Sequence, residues 1–419
     1  MDAWTLVLAH RRQSVECAGL VVLVNLLLWP IYTIKDQREQ PQLPAWLLPF
    51  KASAGPEWVS YIYPGWDERA VVQLYDEWNR LTYEYDPVAQ YKPRAARGEY
   101  YNVSEHGFRL NGDSVPWPPD PSAVNVFVLG GSTTFGTGLP DRQTIPAALS
   151  ALLQEQSCPA PVQVYNFGVP GYASREERAR FEQLLLTNTI PHIAVFIDGL
   201  NDMIRGSHEP RYTSDLRQMM ALANTKDSLA RLRSQTREVV ASLPMSRLAQ
   251  SLRGQLARWL PGRGAAPPAF SMPTAQLDDR PDHWLANKRL AEGAGERFGV
   301  NTLFVWQPVP LYHYDPSEHL LNGQVPAWME WPRVIGDKRT LYHSMDERRQ
   351  EPEVARNLLW LADMQADTRE NLYVDLQHYN AAFSKDVARA IADELRRRGW
   401  LACSDRGVQT AHATATPPR

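Results

Sequence analysis

The sequence is poor in cysteine, carries no glycine-rich phosphate loop and has no excess of charge of either sign. Three cysteines, Cys17, Cys158 and Cys403, leave room for one disulfide at most. Gly130-Gly131 is not part of a G-x-G-x-x-G run, and no lysine completes a Walker pattern beside it. Dinucleotide and P-loop readings of that turn therefore fail. A net charge of -3 provides no basic footprint for nucleic acid. His313, His319 and His343 do not stand at a metal-ligand spacing, so they read as solvated or cap histidines, and no metal or cofactor is expected. No internal repeat is present. With 44% apolar and 22% charged residues, the chain has the composition of a packed core. Its 419 residues suffice for one large α/β domain with insertions or for two ordinary domains.

One long apolar run stands out. After the short segment 1–17, which carries His10, Arg11 and Arg12, residues 18–34 read AGLVVLVNLLLWPIYTI. As a helix this run would measure roughly 25 Å, the short end of a membrane span. Trp29 and Tyr32 fall near its far end, where amphipathic rings suit the headgroup layer. No small-x-small cleavage site follows, which favours an uncleaved signal anchor over a removed leader. Arg11 and Arg12 favour a cytoplasmic N-terminus and an extracytoplasmic remainder, periplasmic in a Gram-negative cell; Lys35 and Arg38 weaken that bias. Asn25 within the span is given no role.

Residues 35–66 are polar and Pro-rich at the start and read as a linker. An ancillary region over 67–123 follows, with a helix at 67–84 and a small hairpin within 98–112. The main domain is expected over 124–403. Its strands are VNVFVLG (124–130), VQVYNFG (162–168), HIAVFIDG (192–199), NTLFVWQP (301–308) and NLYVDL (371–376). Helical stretches at 143–156, 174–186, 282–298 and 381–399 alternate with them. That alternation predicts a flavodoxin-like three-layer α/β/α fold around a mainly parallel five-stranded sheet of order 2-1-3-4-5. Insertions at 203–280 and 309–352 both follow strand C-termini and would form a helical and aromatic cap; Tyr312, Tyr314, Trp328, Trp331 and Tyr342 lie in the second. The tail 404–419 is low in hydrophobes and reads as disordered.

In a doubly wound sheet the strand C-termini converge on one edge. Ser132 follows the first strand in Gly130-Gly131-Ser132-Thr133-Thr134, and Gly171 follows the second in a glycine turn. Asn201 follows the third in Gly199-Leu200-Asn201-Asp202, and Asp375 and His378 share the last turn. Acyl transfer needs a nucleophile, a base, a group that orients the base, and donors for the developing oxyanion. Ser132 supplies the first, His378 the second and Asp375 the third. The Ser132 and Gly171 N–H groups with the Asn201 amide supply the donors. Asp202 reads as support for the turn.

At these residues the chain resembles the SGNH hydrolase superfamily, the GDSL-like esterases and lipases. GGSTT stands for the serine block, NFGVPG for the oxyanion glycine, GLND for the G-x-N-D block and DLQH for the D-x-x-H block. Gly131 departs from the Asp common at its position. The resemblance implies a Ser132-His378-Asp375 triad and an oxyanion hole from Ser132, Gly171 and Asn201. It implies a serine hydrolase of acyl or acetyl esters on small-molecule, lipid or glycan substrates. An O-acyltransferase acting on an extracytoplasmic polysaccharide and a non-catalytic glycan-binding or assembly protein are the other readings. The expected topology puts the first and last helices on one face of the sheet. Cys158 and Cys403, just past their ends, are then expected to pair as a disulfide, with Cys17 a lone thiol.

Overall fold

The computed structural model describes residues 22–31, 43–44, 47–112, 115–155, 158–204, 243–246, 248–249, 252, 280–320 and 342–401. The chain divides into two compact units, one from residues 1–40 and 209–271, the other from 41–208 and 272–419.

In the first unit residues 22–31 are helical, within the expected span at 18–34, and the rest of that span lies outside the described residues. Asn25 is buried and its Oδ1 accepts the backbone N–H of Met245 at 3.0 Å. No helix among the described residues is long and apolar enough to cross a membrane. The insertion expected at 203–280 contributes residues 209–271 to this unit, and most of it lies outside the described residues.

The second unit is a three-layer α/β/α fold. Its strands are β1 (Tyr83–Asp86), β2 (Gln90–Pro93), β3 (Val124–Gly130), β4 (Val162–Gly168), β5 (Ile193–Asp198), β6 (Asn301–Trp306) and β7 (Leu358–Trp360). β1 and β2 form an antiparallel hairpin, and the other five form a parallel sheet of order β4-β3-β5-β6-β7. Numbered within that sheet, the order is the expected 2-1-3-4-5.

Alternation along the strands builds the two faces. Val126 and Val128 join Val164, Val195, Leu303 and Val305 under the helices Ile145–Gln154 and Ala381–Arg397. Phe127 and Leu129 point the other way, joining Phe167, Phe196 and Phe304 under the helices Ser174–Leu186 and Arg280–Phe298. Strands apolar on both faces are what a parallel sheet covered on both sides requires. Local signals set the helix starts: Thr144 accepts from Ala147 N–H with Pro146 in the first turn, and Asn380 accepts from Phe383 N–H.

Two expectations need correction, the fifth strand and the linker. The fifth strand is not 371–376 but Leu358–Trp360, which pairs with Phe304–Trp306. Residues 371–376 instead double back: Tyr373 bridges Tyr379, and Val374 N–H donates to His378 O at 2.8 Å. The alternating pattern there reflects a tight antiparallel turn. A further hairpin, not expected from the sequence, lies at 83–93, where Asp86 Oδ1 accepts the N–H groups of Val88 and Ala89 and closes the turn. Residues 98–112 double back as the small hairpin expected there: Val103 bridges Arg109, with Leu110 N–H donating to Asn102 O and Ser104 N–H to Phe108 O, each at 2.8 Å. Within the expected linker, Leu47–Ala54 and Trp58–Ile62 are helices that bury Leu47, Trp58 and Ile62. Their apolar side chains outweigh the proline-rich flank.

In the second insertion, Tyr312, Tyr314 and Tyr342 are buried, while Trp328 and Trp331 lie outside the described residues. Cys158, packed against the first core cluster, is disulfide-bonded; Cys17, the expected partner Cys403 and the tail 404–419 lie outside the described residues.

Phe196 sits at the centre of the second face, stacked on Phe304 at 4.9 Å and edge-on to Phe181 at 5.4 Å. Phe196→Ala is expected to destabilise this unit by about 3–5 kcal/mol, read from the denaturant midpoint at constant slope. A loss below about 1 kcal/mol would show that this aromatic layer is not the core.

Candidate active site

β3 ends at Gly130, and Gly131 caps the one-turn helix Ser132–Phe135, so Ser132 stands at the helix start. Gly136 ends it in the left-handed region, its N–H and that of Thr137 both donating to Ser132 O. A Cβ on Gly131 would lie 2.4 Å from Asn201 Nδ2 and 3.1 Å from Tyr172 O. The close approach leaves no room for a side chain at Gly131. It also shows that the β4 and β5 turns meet at the serine.

Gly171 (φ +85°) takes a backbone shape reserved for glycine. The following carbonyl, Tyr172 O, accepts one N–H of the Asn201 amide at 2.6 Å. That bond fixes the amide and leaves its second N–H for another acceptor. Asp202, read as support for this turn, accepts from Ser174 Oγ at 2.5 Å and Ser174 N–H at 3.1 Å.

The loop 371–378 brings the remaining groups across. His378 Nε2 lies 2.8 Å from Ser132 Oγ, and His378 Nδ1 lies 2.6 Å from Asp375 Oδ2. Asp375 Oδ1 accepts the N–H groups of Gln377 at 2.9 Å and His378 at 2.8 Å, holding the turn shut around the carboxylate. Burial raises the Asp375 pKa, but the His378 ring and these bonds outweigh it and hold the carboxyl below its ordinary range. An ionised Asp375 keeps the imidazole proton on Nδ1, which leaves Nε2 to accept from the serine hydroxyl. Ser132 itself is only 8% exposed, so its hydroxyl is shielded from bulk water.

All five residues singled out in the sequence thus belong to turns that adjoin this edge of the sheet. Others escaped sequence reasoning. Gln307, the first residue after β6, accepts from Thr133 Oγ1 at 2.7 Å and from Tyr379 OH at 3.2 Å, tying together the neighbours of Ser132 and His378. A buried glutamine directly after an apolar strand was the available signal. Of the histidines, His313 is exposed and paired with Asp363 at 2.8 Å, and His343 packs edge-on to Tyr312. His319, read as a solvated or cap histidine, lies half-buried in the second insertion. It lies against Tyr373 beside Asp375, and burial pushes its pKa down to about 4 although Asp375 pulls the other way. Among the described residues no three His, Cys, Asp or Glu side chains could hold a metal ion.

Residues 128–316 match the GDSL-like Lipase/Acylhydrolase family. No curated protein matches the chain. Solved structures with a similar course include the lipase/acylhydrolase from Enterococcus faecalis, at 11% identity over 67% of this chain and 98% of that one, with a TM-score of 0.33. The psychrotrophic esterase EstA from Pseudoalteromonas sp. gives 12% identity over 66% and 98%, with a TM-score of 0.33. The C-terminal catalytic domain of Streptococcus pneumoniae peptidoglycan O-acetyltransferase A gives 9% over 68% and 99%, with a TM-score of 0.28.

Behind Asn201 lie the buried carboxyl groups of Glu177 and Asp198 and the half-buried one of Asp202. Burial first, then Asp198 and Asp202, raises Glu177 far above the carboxyl range; burial and Asp202 push Asp198 up to about 7. Glu177 Oε2 and Asp198 Oδ1 have no partner as carboxylates, and a proton held between them satisfies both. Trp284 Nε1 donates to the other Asp198 oxygen at 3.0 Å. A carboxyl raised on folding stabilises fully below its unfolded pKa and progressively less as pH rises through the folded one. The contribution of Asp198 is therefore expected to fade between about pH 4 and pH 7. Asp198→Asn, whose oxygen still accepts from Trp284, should show a flatter melting temperature over that window. Parallel curves for the two proteins would refute the shared proton.

Proposed function

We propose that the GDSL-like lipase/acylhydrolase domain of this chain, an enzyme acting on ester bonds, cleaves acyl or acetyl esters outside the cytoplasm through an acyl-enzyme on Ser132. The observation that carries this reading is the continuous relay from Ser132 Oγ to His378 Nε2 (2.8 Å) and from His378 Nδ1 to Asp375 (2.6 Å). Ser132 Oγ attacks the ester carbonyl as its proton passes to His378 Nε2. The oxyanion is held by the Ser132 and Gly171 N–H groups and by the N–H of Asn201 not given to Tyr172. Collapse breaks the ester C–O bond, and the proton on His378 goes to the departing alkoxide. Water then gives a proton to His378 while its oxygen joins the acyl carbon. Release of the carboxylic acid returns the proton to Ser132.

Two observations support an extracytoplasmic, membrane-tethered enzyme. In the helix at 22–31, Val22, Leu23, Leu26 and Leu27 are each more than half exposed while Asn25 is buried, the reverse of a helix in water. Cys158 is in a disulfide, a bond that persists in oxidising compartments.

A fluorophosphonate is expected to label wild-type protein at one site and to leave Ser132→Ala unlabelled. Asn201→Ala should lower kcat by about 10²–10³-fold, and Asp375→Asn by on the order of 10⁴-fold. Labelling that survives Ser132→Ala would discard the nucleophile. Acetyl-ester turnover measured with and without a glycan acceptor distinguishes hydrolysis from transfer: acyl recovered on the acceptor, not in water, would overturn the hydrolase reading.

A further inference from the structure

The helix that carries Ser132 is four residues long, Ser132–Phe135. One turn of helix does not hold its own geometry, because nucleation fixes several dihedrals for a single hydrogen bond. Its shape must come from groups outside it. At its far end, the turn 136–139 is gripped by three side chains from the segment before β3. Arg109 Nη1 donates to Phe135 O and Gly136 O, each at 2.8 Å, and Nη2 donates to Leu139 O at 2.7 Å and Tyr100 O at 3.1 Å. Tyr101 OH accepts the Gly138 N–H at 2.9 Å, and Tyr63 OH donates to Gly138 O at 3.0 Å.

Arg109 is buried, with its guanidinium 4.0 Å from the centre of the Tyr101 ring and 4.9 Å from that of Phe135. Among the described residues Asp141 is its counter-charge, at 2.8 Å from Nε. The arginine is anchored in turn, since its own N–H donates to Asn166 O in β4 at 2.9 Å. A cation at a helix C-terminus also complements the carbonyl dipoles there. The same turn abuts the loop of the base: a Cβ on Gly138 would lie 2.7 Å from Val374 Cγ2, next to Asp375. Moving the turn would thus shift the serine and press on the loop that carries Asp375 and His378.

We propose that Arg109, with Tyr101 and Tyr63, is the positioning group that sets Ser132 against His378, so that the segment before β3 completes the active site. This rests on the reading of Ser132 as the nucleophile. All three residues lie outside the stretch 128–316 that matches the family. An error of about 1 Å in such an alignment can lower a rate by about a hundredfold without touching substrate binding.

The test uses the full chain and its Arg109→Lys, Tyr101→Phe and Tyr63→Phe variants. It compares kcat and KM on a short-chain ester, the rate of fluorophosphonate labelling at Ser132, and the melting temperature. Arg109→Lys and Tyr101→Phe are expected to lower kcat and the labelling rate together by between about tenfold and a hundredfold, with KM within about twofold. Tyr63→Phe should show a smaller loss of the same kind. Should Arg109→Lys not fold, the two phenylalanine variants decide. Folded variants that keep kcat and labelling within about twofold of wild type would overturn the positioning role. Wild-type protein that is not labelled at Ser132 would instead remove the nucleophile, and the proposal with it.

Discussion

Much of this protein is built around a helix too short to support itself. Ser132 occupies the first of four helical residues, and its placement is imposed from outside. At one end, Gly131 lets the Asn201 amide and Tyr172 O come within reach. At the other, Arg109 donates to Phe135 O and Gly136 O at the helix end. β3 lies beneath, between β4 and β5 in the sheet. A hydroxyl held in this way is aimed at a histidine 246 positions later in the chain.

The same demand explains the buried charges. Arg109 pairs with Asp141 and also donates to four backbone carbonyls, the arrangement in which a buried guanidinium is fully matched. Glu177 and Asp198 meet the cost of burial differently, by retaining a proton. Asp375 meets it with His378 and two backbone N–H groups.

The sheet and its main helices were legible because their residues obey simple periods. VNVFVLG and IAVFID are unbroken apolar runs, and the strands they predict agree with β3 and β5 to within a residue at each end. NLYVDL was misread as a strand because a tight antiparallel turn shows the same alternation; only the Tyr373–Tyr379 bridge distinguishes the two. LLW at 358–360 was missed because three residues are too few to carry a period. Arg109 was passed over for another reason. Its sequence neighbours, Gly107-Phe108 and Leu110-Asn111, say nothing of the carbonyls that it meets 26 to 30 positions away.

The sequence by itself determined the order of the strands' chemistry: a serine, a glycine, an asparagine and an Asp-x-x-His pair, each following an apolar strand or an alternating run. Residue type and local period suffice for that, since both are properties of neighbouring positions. Tertiary structure decided what each group would touch. It chose Tyr172 O as the partner of Asn201, Gln307 as the link between Thr133 and Tyr379, and Arg109 as the brace of the serine turn. These pairings depend on how strands stack and where loops return. No local pattern encodes distances between residues that meet only after the sheet has formed.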